Sequence, residues 1–305
     1  MQSSMPLQRI QRRTAPRRNE VSEQGPISSE IEDPRTITGD GAWVREALLA
    51  GGLVVLLLGS MWVSTGSFPP MVVVESKSMM HEDDGSLGAI DPGDLIMVMS
   101  NDRADVVTFV EATEEGNENF GYESHGLPGD VIIYRKNGGT DTPVIHRALL
   151  EAVANGSGWD VPGTSLSNVQ SVSWTLEYDC SYHGGTYKLR IEAWEPEHAG
   201  FLTSGDNNFG GCMVDQPSAN SQGQGGGLVD FQGNPVQPVR DEWVVGVASS
   251  EIPWVGSIKL LTTGAAGSVT MKSWNYLALT ILLVLASPIA FEYFPTLHTS
   301  PEEEE

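Results

Sequence analysis

Cysteine is scarce in this chain: Cys180 and Cys212 are the only two among 305 residues. Two thiols are too few for a small domain held together by a disulfide framework, and too few for a zinc site built from cysteine. Four histidines also lack partners at metal-binding spacing, namely His125, His183, His198 and His298. The sequence therefore predicts neither a metal site nor a cofactor.

Positive charge is scarce as well. Lysine and arginine together number 17 against 40 aspartates and glutamates, so the formal net charge is −23. A surface this acidic repels the phosphate backbone, which excludes nucleic acid as a partner. The pattern favours a solvated acidic surface over a specific cationic partner.

Charge is missing altogether from the stretch Ala47–Phe68. A helix of this length reaches roughly 33 Å and can cross the hydrocarbon core of a bilayer. A shorter run, Trp274–Phe291, has aromatic residues at both ends, as interfacial residues of membrane helices do. A buried helix is the alternative for this second run, but the absence of an amphipathic stripe favours a span. We predict membrane helices at 42–68 and 272–293.

Basic residues predict the orientation. Seven arginines precede the first run: Arg9, Arg12, Arg13, Arg17, Arg18, Arg35 and Arg45. By the positive-inside rule the N-terminus is cytoplasmic, within a polar segment at 1–41 that we predict to be disordered. Two spans then make residues 69–271 extracytoplasmic and return an acidic tail, 294–305, to the cytoplasm. The predicted localisation is a cell membrane, with a multi-pass chain in contact with the lipid bilayer.

The extracytoplasmic part is rich in predicted strands. IDPGDLIMV at 90–98 and LPGDVIIYR at 127–135 share a Pro-Gly-Asp turn followed by a β-branched apolar run. Further candidate strands are MVVVES at 71–76, VVTFVEA at 106–112, SVSWTLEY at 171–178, TYKLRIEAW at 186–194 and WVVGVAS at 243–249. No amphipathic helices intervene, so a mainly β, antiparallel domain is predicted. Residues 217–238 form a Gly-rich loop.

An ordered set of short motifs lies between the two apolar runs. They are SKSMM at 76–80, GDVIIYR at 129–135, VIHR at 144–147, LTSGDNN at 202–208 and VVGVASSEIPWVGSIKLL at 244–261. Each motif is weak alone, but their order resembles that of the type I signal peptidases over most of residues 44–262. The resemblance implies a signal peptidase-like antiparallel β catalytic domain flanked by two transmembrane helices.

The resemblance also implies roles for individual residues. Ser78 matches the nucleophile, and Ser76 with the Ser78 backbone N–H matches the oxyanion hole. His146 matches the general base. The His-Arg pair it begins is similar to the archaeal and endoplasmic reticulum branch, whereas bacterial members have Lys-Arg. Histidine titrates near neutrality without help and then needs an orienting carboxylate. Asp215 is the first candidate for it and Asp206 is a second essential acid.

This chain departs from the family pattern at four places. His81 stands where the nucleophile motif commonly ends in proline. Three extra residues precede Asp215, and inserts lie near 113–125 and 148–197. If the second insert folds over the aspartate motif, Cys180 could pair with Cys212; two free buried thiols are the alternative.

The activity implied by the resemblance is that of a serine endopeptidase. Its substrates would be preproteins carrying N-terminal signal peptides, delivered by the Sec translocon and cut at the outer membrane face. Two other readings are open. Self-cleaving repressors share the fold but need a DNA-binding domain, which this sequence lacks. A catalytically degenerate membrane scaffold of the secretion machinery is the non-enzymatic alternative.

Overall fold

The computed structural model describes residues 42–178, 187–207, 213–220 and 226–293. The predictions of a disordered segment at 1–41, of a tail at 294–305 and of a bond between Cys180 and Cys212 lie outside these residues. The chain divides into two compact units between Gly52 and Leu53. Every described element except the first part of helix α1 belongs to the second unit.

The described helices are α1 (Ala42–Thr65), α2 (Phe109–Thr113), α3 (Ser257–Thr263) and α4 (Met271–Tyr293). Within the described ranges, Trp43–Thr65 is the one helix long and apolar enough to cross a membrane, and none of its most apolar stretch is buried in the protein. Helix α4, which contains Lys272 and Pro288, is not a candidate span when the search is limited to the described residues. One candidate span therefore has structural support.

The end of α1 is fastened to the β-domain. Arg103 Nη1 donates hydrogen bonds to the carbonyl oxygens of Val63 and Ser64, at 2.5 and 2.7 Å. The backbone N–H of Ser100 donates to Thr65 O at 2.9 Å. The last carbonyls of a helix have no partners within the helix, so these contacts cap α1.

A seven-stranded antiparallel sheet forms the centre of the second unit. The described strands are β1 (Met71–Val73), β2 (Leu95–Met99), β3 (Glu123–Ser124), β4 (Leu127–Pro128), β5 (Val131–Tyr134), β6 (Val144–Asn155), β7 (Gly158–Asp160), β8 (Val172–Tyr178), β9 (Tyr187–Trp194), β10 (Gly200–Ser204) and β11 (Val244–Ile252). The sheet order is β1-β2-β11-β5-β6-β10, with β7 paired to the end of β6. Strands β3 and β4 form one small hairpin and β8 and β9 another. The prediction of a mainly antiparallel β architecture is confirmed.

Both Pro-Gly-Asp turns are held by their aspartates. Asp94 accepts hydrogen bonds from the backbone N–H groups of Asp91 and Trp254, each at 2.9 Å. Asp130 accepts from the N–H of Val107 at 2.9 Å and from Tyr122 Oη at 2.7 Å. Each carboxylate thus satisfies backbone donors of a distant segment, which fixes where β2 and β5 begin.

The predicted strand at 106–112 is wrong, because this segment contains helix α2. Thr108 is its N-cap and accepts a hydrogen bond from the N–H of Glu111, whose side chain accepts one from the N–H of Thr108. This reciprocal capping box satisfies donors at the helix start and outweighs the β propensity of Val106 and Val107. Phe109 and Val110 are buried by the resulting turn.

The β8–β9 hairpin lies within the predicted insert at 148–197 and packs on the sheet. Its buried residues Leu176 and Ile191 share one apolar cluster with Leu150 of β6 and Leu202 of β10. Tyr178, at the end of β8, is fully buried and meets the Phe109 ring edge-on at 5.2 Å. Burying a leucine or isoleucine contributes roughly 2–5 kcal/mol, judged by truncation to alanine. This cluster therefore fixes the hairpin to the sheet.

Candidate active site

His146 lies on β6, opposite Ile132 of β5, and is 6 % exposed. Its Nδ1 is 2.7 Å from Oδ2 of Asp215, which is also buried. A carboxylate only accepts, so Nδ1 carries the hydrogen and the Nε2 lone pair is left free to take a proton. Asp215 therefore lies where an orienting acid belongs, despite the three extra residues that precede it.

Asp215 is itself held by several donors. Oδ2 accepts hydrogen bonds from Thr203 Oγ1 at 2.6 Å and from Tyr134 Oη at 2.9 Å. The backbone N–H of Leu228, in the Gly-rich loop, donates to the Asp215 carbonyl at 2.7 Å. Burial and the neighbouring Asp215 charge raise the pKa of Tyr134 well above its usual value, so its hydroxyl stays protonated. The carboxylate is thus fixed in one orientation toward His146.

Ser78 stands in a tight turn that is anchored on both sides. The turn is closed by a hydrogen bond from Met80 N–H to Lys77 O at 3.2 Å. Met79 and Met80 are buried in the core. Asn207 holds the turn from outside, donating from its N–H to Ser78 O at 2.8 Å and from Nδ2 to Lys77 O at 2.9 Å.

The Ser78 turn and His146 face each other across Gly205. A Cβ placed on Gly205 would lie 2.6 Å from Ser78 O and 2.9 Å from His146 Nε2. Among the described residues no hydrogen bond joins Ser78 Oγ to His146. Ser78 Oγ pairs instead with Ser76 Oγ at 3.1 Å. Hydrogen bonds between nucleophile and base commonly form only when substrate is bound.

Among the described residues no hydrogen bond joins Asp206 to His146; Asp206 pairs with Arg147, the residue that follows His146. Arg147 is fully buried and donates from Nε to Oδ1 at 2.9 Å and from Nη2 to Oδ2 at 2.6 Å. Its Nη1 lies within hydrogen-bond distance of four backbone carbonyl oxygens, those of Ser124, Leu127, Pro128 and Gly129. Burial disfavours the Asp206 charge, but Arg147 and the hydrogen bonds outweigh it and hold its pKa well below the usual range. The two predicted acids therefore occupy different environments.

An apolar cleft of about 1000 Å³ opens over these groups. Its walls come from edge strand β1, from residues 142–146, from 213–215 and from 226–228, with Ser78 and His146 in the lining. Among the described strands, β1 pairs with β2 alone, and an edge strand can accept another extended strand. The site combines a serine, a histidine paired with a carboxylate, and an apolar cleft bordered by an edge strand.

Sequence reasoning missed four side chains that build this site. Tyr134 and Thr203 support Asp215, while Tyr178 and His81 donate to Asp206. In the sequence, His81 is only a departure from proline and Tyr134 only the end of a predicted strand. No spacing rule signals any of these contacts, because each partner is distant in the sequence.

Within the described ranges no group of three or more histidine, cysteine, aspartate or glutamate side chains is arranged to hold a metal ion. The chain matches no protein-family model and no curated protein. The site holds a serine hydroxyl and a histidine paired with a carboxylate, which are the types of group that acyl transfer by a serine requires.

Proposed function

We propose that this chain is a membrane-anchored serine endopeptidase of the signal peptidase I type, which removes signal peptides from secreted preproteins. The observation that carries the proposal is the His146–Asp215 pair, which faces the Ser78 turn across Gly205 at the floor of an apolar cleft. Helix α1 anchors the enzyme, α4 is the second span, and the catalytic domain lies outside the cytoplasm. The Sec translocon supplies the substrates.

The proposed reaction has two halves. His146 Nε2 takes the proton from Ser78 as Oγ attacks the scissile carbonyl, and the Ser76 hydroxyl and Ser78 N–H stabilise the oxyanion. The proton passes to the departing amine, which becomes the N-terminus of the mature protein. Water, deprotonated by His146, then hydrolyses the ester that joins Ser78 to the signal peptide. Asp215 stabilises the imidazolium in both halves.

Substrate binding follows from the cleft. The cleavage region of the preprotein extends along β1 as an added strand, and shallow apolar pockets accept small side chains at the first and third positions before the cut. Met71 and Val73 on β1 and Ile145 on β6 are apolar lining residues suited to this. A bulky residue at either position would displace the carbonyl from Ser78.

The full-length chain in lipid vesicles is expected to cut a reporter preprotein once, directly after its small-residue site. An acylating probe that labels Ser78 should block the cut in proportion to labelling. The measurement is the N-terminal sequence of the product together with the mass of the labelled peptide. A reporter with tryptophan at the first position before the cut is the control and should stay intact. Cleavage that persists after complete labelling of Ser78 would contradict the proposal.

Gly205→Ala is expected to lower kcat/KM about 100-fold without unfolding the protein. The added methyl group would meet both Ser78 O and His146 Nε2. Displacement of a reacting group by about 1 Å costs a factor of this size. The control is Gly267→Ala, where an added Cβ meets nothing within 4 Å. Equal activity in the two variants would show that Gly205 does not set the spacing of nucleophile and base.

A further inference from the structure

The Asp206 carboxylate receives more donors than its ion pair with Arg147 supplies. Tyr178 Oη donates to Oδ1 at 2.6 Å, and His81 Nε2 lies 2.9 Å from Oδ2. Each oxygen thus has one donor from Arg147 and one from elsewhere. His81 adds to the stabilisation of the Asp206 charge by Arg147. Because the two additional donors bind different oxygens, they also fix the orientation of the carboxylate.

The His81 contact closes a loop around the nucleophile. His81 follows Ser78 by three residues, and Asp206 precedes Asn207, which holds Ser78 O and Lys77 O. The turn is therefore fixed to the 206–207 segment twice: Asn207 binds it at Ser78, and Asp206 binds His81, just after the turn. Since Asp206 also binds Arg147, this segment joins the turn to the strand that carries His146.

The Tyr178 contact brings the β8–β9 hairpin into the same network. The Tyr178 ring is buried against Phe109, so its hydroxyl is directed by packing as well as by Asp206. Burial and the Asp206 charge raise the pKa of Tyr178 well above its usual value, and the group remains a donor at every relevant pH. The hairpin thereby supplies a functional group as well as apolar cover.

We propose that His81 and Tyr178 are positioning residues, which fix the Asp206 carboxylate and so hold the Ser78 turn in register with His146. The proposal rests on the proposed protease function. His81 Nε2 faces a carboxylate buried in the protein, so it donates, and a Cβ placed on Gly126 would lie 3.2 Å from the His81 ring, a tight contact. A geometry this constrained is what a positioning contact requires.

The test compares His81→Leu, His81→Gln and Tyr178→Phe in the full-length chain. His81→Leu removes the donor. We expect kcat to fall about 100-fold, because the nucleophile would shift by up to about 1 Å. His81→Gln keeps an N–H donor and should recover kcat to within about threefold of wild type. Tyr178→Phe keeps the ring and should lose about tenfold, the value of one hydrogen bond. KM should stay within about twofold in all three, since neither side chain lines the cleft.

Two controls separate positioning from stability. His198→Leu removes a histidine whose contacts are Ala199 O and the Trp243 ring, and Tyr122→Phe removes a hydroxyl that donates to Asp130. Both should keep wild-type kcat. The proposal is overturned if His81→Leu keeps wild-type kcat, if His81→Gln fails to rescue it, or if the loss only follows the unfolded fraction in a thermal melt.

A second readout separates this proposal from the protease function. The rate at which a small acylating probe labels Ser78 reports the geometry of nucleophile and base without any preprotein. Slow labelling in His81→Leu, with fast labelling of wild type, supports the positioning role even if wild type cuts no preprotein. Equal labelling in the variant and in wild type overturns the positioning role, even when preprotein cleavage by wild type is intact.

Discussion

Ser78→Ala is expected to reduce preprotein cleavage by about 10⁶-fold. The reason is that Oγ forms the covalent bond to the substrate, and no neighbouring group can replace it. Ser76 Oγ, 3.1 Å away, is exposed and is not directed at His146 by any described contact. Cleavage is measured by product formation under single-turnover conditions.

His146→Ala should cost about as much as Ser78→Ala, and the double variant no more than either. Residues that act as a unit are strongly non-additive, because the second loss removes a mechanism already broken. Ser250→Ala, at an exposed serine on β11, is the control and should match wild type. If the rate loss of the double variant equals the product of the two single losses, Ser78 and His146 do not act together as nucleophile and base.

The second large effect separates the two aspartates. Asp215→Asn should lower kcat by about 10⁴-fold while the protein stays folded, because an amide no longer fixes the His146 tautomer with Nε2 free. Asp206→Asn should lower kcat less, because Asp206 acts on the Ser78 turn and not on His146. It should also destabilise the fold by roughly 3–5 kcal/mol, because it leaves the Arg147 charge buried without its partner. The measurements are single-turnover kinetics and denaturant unfolding on both variants. The assignment is reversed if Asp206→Asn has the unfolding free energy of wild type while Asp215→Asn is destabilised.

The pH dependence of stability provides an independent check on Asp206. Its pKa is lower in the folded protein than in the unfolded chain, so the unfolded state binds more protons in the acid range. Its contribution to stability is therefore complete above the ordinary carboxyl pKa and is lost as the pH falls through the lower, folded-state value. Asp206→Asn should lack this component. The comparison is the unfolding free energy of the two proteins at pH 7 and in the acid range.

The parts of the fold that the sequence predicts are those encoded locally. The Pro-Gly-Asp turns precede β2 and β5 because proline and glycine restrict the turn and aspartate satisfies its donors. The alternating pattern at 186–194 gives β9. The strand predicted at residues 106–112 is wrong, because the Thr108–Glu111 capping box is a second local signal, which favours a helix over the β propensity of the segment. Two local signals conflicted there, and burial of Phe109 and Val110 favours the helix.

The site was predictable only in part. His146 and Asp215 are in contact across 69 positions, and the resemblance named both. Nothing in the sequence predicts that His81 reaches Asp206 across 125 positions, or that Tyr178 arrives from an insert. Such contacts depend on how the hairpin and the nucleophile turn pack on the sheet. Periodicity and spacing describe single elements and carry no information about that packing.

The capped end of α1 has a mechanical consequence for the proposed enzyme. Arg103 and Ser100 bind the last carbonyls of the helix, and β1 begins a few residues later. The connection between the helix and the cleft is therefore short and fixed. If α1 crosses the bilayer, Ser78 is held at a set height above the lipid. The distance of Ser78 from the bilayer would then select the peptide bond that is cut, when a signal helix lies beside α1.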